Sequence, residues 1–83
     1  MKFYTYGNIV RILRLDKENP TNSLMIDVNM EEEKILSRFD ASRPFDAAFI
    51  QSFLNILSES SVGFLPTEDT SIIAKALRIF NLN

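Results

Sequence analysis

The chain contains no cysteine, no histidine and no tryptophan, and each absence removes a class of chemistry. Without cysteine there is no disulfide framework to hold a small domain together, and without histidine as well the usual zinc and haem ligand sets are missing. A serine nucleophile would lack an imidazole to take its proton, which leaves lysine as a base, and no motif points to one. Glycine is limited to Gly7 and Gly63, too few for a phosphate cradle or a dinucleotide fingerprint. The sequence therefore supports no cofactor and no enzymatic role. No uninterrupted apolar run is long enough to span a bilayer, and no basic segment followed by an apolar one opens the chain. Together with the missing cysteine, these features point to a cytoplasmic protein away from membranes.

What is present is apolar. Hydrophobic residues make up 46% of 83 residues, with seven phenylalanines among them. A chain of this size is expected to form a single small globular domain over 1–83, near the lower limit for independent stability. A surplus of apolar surface on so small a domain points to a homodimer or a partner interface. Nine basic and eleven acidic residues give a formal charge of −2, a balance that disfavours nucleic acid and anionic membranes as partners.

Along the chain, KFYTY at 2–6 and IVRILRL at 9–15 flank Gly7-Asn8, the pattern of a β-hairpin. A helix from Ile9 to about Lys17 is the alternative. The β-branched Ile9, Val10 and Ile12 favour strand. DKENPTN at 16–22 is a loop around Pro20, and SLMIDV at 23–28 reads as a buried strand. Asn29 followed by Glu32 matches a capping box, which predicts a helix from about Met30 that turns Ile35, Leu36 and Phe39 inward. Pro44 suits the first turn of a second helix over 44–59, whose apolar side carries Phe45, Phe49, Ile50 and Phe53. VGFL at 62–65 is a short strand candidate. Pro66-Thr67-Glu68-Asp69 opens a last helix with Thr67 as its cap, and Ile72, Ile73, Ala76, Leu77, Ile79 and Phe80 form its inner face. The predicted order is β-β-β-α-α-β-α, an α+β or small α/β fold with helices packed on one small sheet.

Several constellations invite a chemical reading. Asp40, Ser42, Arg43 and Asp46 crowd the approach to the second helix, where Asp40 or Ser42 can cap and Arg43 can pair. Asp46 falls in the middle of an apolar face, and is either a first-turn cap or, if enclosed, a carboxyl with a raised pKa. Three adjacent glutamates at 31–33 cannot converge on one ion from a helix. Arg11 and Arg14 with Tyr4 suggest a basic and aromatic nucleic-acid surface, but on a strand the two arginines fall on opposite faces. Gln51, Ser52, Asn55 and Ser58 form a neutral polar helix face that, with Arg43, would accept a protein partner with little charge desolvation.

The ending IAKALRIFNLN, together with a strand followed by a serine-containing loop and a helix, is loosely similar to the STAS-like family over roughly the last half of the chain. That resemblance implies a small α/β module that regulates partners by docking, with Ser42 as the switch residue at a helix start. Arg43 and Pro44 follow that serine and an extra predicted helix intervenes, which departs from the family pattern. The reading that emerges is a non-enzymatic protein-interaction module. It would be a bacterial or phage-encoded regulator or inhibitor that occludes a partner protein, either alone or as a homodimer. A nucleic-acid accessory protein using Arg11, Arg14 and Tyr4 is the alternative.

Overall fold

The computed structural model describes residues 1–16, 18–43, 46 and 63–82. Lys2–Tyr6 (β1) and Ile9–Arg14 (β2) form the expected hairpin, paired from Lys2↔Leu13 to Tyr6↔Ile9. Gly7 takes φ +55° in the two-residue turn, the position that hairpin turns of type II′ reserve for glycine. The loop after β2 closes on itself: the Asp16 carboxylate accepts the N–H groups of Glu18 and Asn19 at 3.0 and 2.9 Å, before a 3-10 turn at Pro20–Asn22. Leu24–Asn29 (β3) then pairs with β2 from Arg14↔Leu24 to Ile9↔Asn29.

Beyond β3 the fold departs from the predicted order. The segment expected to be a helix is Lys34–Asp40 (β4), antiparallel to β3. Asn29 caps as its type suggests, with Oδ1 accepting from Glu31 and Glu32 N–H at 3.0 and 2.9 Å. What it caps is a tight turn, because Glu33 adopts φ +55° and reverses the chain. The competing pull is the open edge of β3. Ile26 and Val28 are fully buried there, and backbone groups of a buried strand must be paired on both sides. Register slips between Asp27↔Ser37 and Val28↔Ile35, so Leu36 is bulged out and 50% exposed. The helical wheel had placed that side chain inward.

Leu65–Pro66 (β5) pairs with Thr5 and Tyr4 of β1, and the Thr67 N–H extends the contact to Phe3 C=O at 3.0 Å. The sheet runs β4-β3-β2-β1-β5, antiparallel throughout, which makes the fold α+β. Among the described residues the long helix is Thr70–Leu82 (α1), where the sequence predicted three. The second expected helix, over 44–59, lies outside the described residues apart from Asp46, as do Gln51, Ser52, Asn55 and Ser58. The cap of α1 is Asp69 and not Thr67. Asp69 Oδ1 accepts from Ser71 and Ile72 N–H at 2.9 and 3.3 Å, while Thr67 Oγ1 accepts from Asp69 N–H at 3.2 Å.

α1 lies over one face of the sheet. Ala76 and Ile79 bury against Val10, Ile12, Leu24, Ile26 and Val28, with Ile72, Leu77 and Phe80 at the margin. Each fully buried Ile or Val in this layer contributes about 1.5–3 kcal/mol of transfer free energy. Lys75 and Arg78 point outward as their spacing predicts, and Arg78 pairs with Glu33 at 3.2 Å, tying α1 to the β3–β4 turn. No helix among the described residues is long and apolar enough to cross a membrane.

Candidate functional site

The sheet face opposite α1 carries a polar row that crosses four strands. The registers Tyr4↔Arg11, Arg11↔Asp27 and Asp27↔Ser37 place these side chains side by side, since directly opposed residues share a face. Leu13 and Met25, one row along, are 2% exposed, so the row lies beside an apolar neighbourhood. Arg11 grips Asp27 with both ends of its fork, Nε to Oδ1 at 2.7 Å and Nη2 to Oδ2 at 2.9 Å. Ser37 Oγ donates to the same Oδ2 at 3.3 Å. Both charged side chains are only 14% exposed, and that partial burial is compensated by the bidentate geometry.

An aromatic platform caps the row. The Arg11 guanidinium lies 4.0 Å from the centroid of the Phe64 ring, and Phe64 packs against Tyr6 with centroids 5.3 Å apart. Gly63 makes this possible: at φ +88°, a Cβ there would meet Tyr6 Cε2 at 2.5 Å. The result is a fixed stack of Tyr6, Phe64, Arg11 and Asp27. At its outer end Tyr6 is 55% exposed, and Leu65, next to Phe64 on β5, is 69% exposed. The β1–β5 rim thus presents large apolar groups on a rigid support.

The other residues singled out from sequence are held differently. Arg14 lies on the α1 side of the sheet, opposite in face to Arg11, and its Nε donates to Asn22 C=O at 2.7 Å. Tyr4 shares the Arg11 face, but Arg11 and Arg14 do not meet there. Ser42 Oγ donates to Asp40 Oδ1 at 2.6 Å and the Ser42 N–H bonds the same oxygen at 2.9 Å. These two bonds, with the Arg38 and Arg43 charges nearby, hold the Asp40 carboxyl below its ordinary value of 3.8. Asp46 is neither enclosed nor unpaired: its Oδ2 accepts from Arg43 Nε at 2.7 Å and from Asp40 N–H at 3.0 Å. The crowded loop is a closed hydrogen-bonded knot. Glu31 accepts from Asn8 and Glu33 from Arg78, and among the described residues no group of three metal-ligating side chains converges.

Asp27, Ser37, Tyr6 and Phe64 were not picked out from the sequence. A signal existed for one pair: Arg11 and Asp27 are single charges inside apolar strands, and opposite charges in adjacent strands seek one another. Phe64 carries no such mark, because its place depends on how β5 docks. Comparison of the chain with models of protein families, with curated proteins and with solved structures returns no match.

Proposed function

We propose that this protein is a small interaction module, a regulator or inhibitor that works by covering a surface of a partner protein, and that the β1–β5 rim is its contact face. The observation that supports this reading is the pairing of exposure with rigidity at Tyr6. Its ring is more than half in solvent, yet it is held from behind by Phe64 and Arg11 and flanked by exposed Leu65. Aromatic side chains set in advance in their bound geometry, beside arginine, are the residue types that dominate binding energy at protein interfaces. Preorganisation reduces the ordering entropy lost on association.

The test is site-specific photocrosslinking in cells. A benzoylphenylalanine at position 6 is compared with one at Glu32, on the β3–β4 turn. The expected result is a discrete protein adduct formed at position 6, absent at position 32 and lost when Leu65→Asp is added. Adducts of equal yield from both positions, or none from position 6, would overturn the reading. An adduct with the mass of two copies of this chain would identify the covered partner as the protein itself.

A further inference from the structure

β4 ends the sheet on the side away from β5, and an edge strand presents N–H and C=O groups that template another strand. In an antiparallel pair, alternate residues turn both groups toward the neighbour and the residues between them turn both outward. Ala41 N–H donates to Ser23 C=O at 3.0 Å, which sets the phase: Ala41 and Phe39 face β3, whereas Arg38 and Asp40 face out. The segment 40–46 sits on those outward groups. Arg43 Nη2 donates to Arg38 C=O at 3.0 Å, Asp46 Oδ2 accepts from Asp40 N–H at 3.0 Å, and Arg43 N–H donates to Asp40 C=O at 2.9 Å. Arg43 and Asp46 are themselves joined, Nε to Oδ2 at 2.7 Å with a second, closer contact from Nη2. Elsewhere along β4, exposed Lys34 and the Leu36 bulge make the edge a poor template.

We propose that the Arg43–Asp46 pair is a latch on the β4 edge, and that its release exposes Arg38–Asp40 as a self-pairing site for a second copy of this chain. The order of charges on the strand selects a second copy. A two-fold axis through Phe39 sets Arg38 of each copy opposite Asp40 of the other, in the hydrogen-bonded positions and with opposite charges on one face. Within one chain these side chains already lie 3.9 Å apart as an ion pair, so the pairing exchanges an existing attraction between copies. The Asp40 carbonyl has two lone pairs and accepts a strand N–H alongside that of Arg43. Only the two side-chain plugs must leave. The latch acts at the edge remote from Tyr6 and Leu65, so it stands independently of the rim.

The experiment is light scattering over a dilution series, with circular dichroism as the control for fold. Arg43→Ala/Asp46→Ala is expected to associate to a dimer at concentrations where the unaltered chain does not gain mass by this route. Adding Arg38→Pro is expected to restore the starting mass. Proline there removes an outward N–H, and an edge strand tolerates it because that group makes no bond to β3. A natively folded double variant with unchanged mass would overturn the proposal, as would association that Arg38→Pro does not reverse. If the double variant loses its native spectrum, Arg43→Gln withdraws the plug from Arg38 C=O while leaving Asp46 in place. It is expected to associate more weakly by the same route, and a folded Arg43→Gln with unchanged mass overturns the latch.

Discussion

Gly63 lies against the ring of Tyr6 so closely that a Cβ on it would stand 2.5 Å from Cε2 and 2.8 Å from Cδ2. The backbone there has φ +88°, so two separate constraints demand glycine. Gly63→Ala is expected to destabilise the protein by about 1–3 kcal/mol, combining backbone strain with displacement of the ring. For a chain of this size that is a fall in Tm of roughly 4–8 °C per kcal/mol. Thermal unfolding of Gly63→Ala, Tyr6→Ala and the double variant measures it. Tyr6→Ala should recover the steric part of the loss and leave the backbone part, so strict additivity of the two changes would refute the ring contact.

Asp27 is neutralised by one partner, Arg11, in a setting where both are mostly shielded. Removing one side of such a pair leaves a charge without its counterion, and Arg11→Leu or Asp27→Leu alone is expected to lose about 2–4 kcal/mol. The combined Arg11→Leu/Asp27→Leu variant should regain most of that, because two apolar residues suit a face already lined by Leu13 and Met25. Urea midpoints at constant m-value provide the measurement. If the double variant is as unstable as the sum of the singles, the two residues are not acting as a pair.

Acid should weaken the fold through two loop carboxyls. Asp16 is held below 3.8 by the Asn19 N–H first and the Asn22 side chain next, and Asp40 by the Ser42 hydroxyl first and the Ser42 N–H next. Because the folded-state values are depressed, their contribution is present above the unfolded value and disappears as the pH falls through the folded one. Stability should therefore decline from about pH 5 downward, and Asp40→Asn or Asp16→Asn should flatten that decline. Urea midpoints between neutral and acidic pH test this. An unchanged acid slope in both variants would show that other carboxyls carry it.

The start of α1 separates two adjacent candidates for its cap. Asp69 Oδ1 receives the Ser71 and Ile72 N–H groups, so Asp69→Ala should lower stability by about 1 kcal/mol. Thr67→Ala, which removes a bond to Asp69 N–H outside the helix, should have the smaller effect. Equal losses in thermal unfolding would indicate that Thr67 and Asp69 cap as a unit.

Much of this architecture is local, and local features were readable in the residues. Gly7-Asn8 between β-branched and aromatic runs determined the first hairpin, Pro20 with its polar neighbours determined the loop, and the spacing of Ile72, Ala76, Ile79 and Phe80 determined the buried side of α1. The capping signal at Asn29 was also real, since its side chain closes the turn. Whether a helix or a hairpin follows such a cap is not a local matter. KILSRFD became β4 because buried β3 needed a second neighbour, and that requirement exists only once the sheet has assembled. The same holds for the polar row. The lone charges of Arg11 and Asp27 were visible, but their opposition across β2 and β3, the Phe64 ring over the guanidinium and the Arg43–Asp46 plugs on the β4 edge were decided by the tertiary structure. Short-range periodicity sets which way a side chain points along its own element, whereas strand register and chain reversal decide what it meets there.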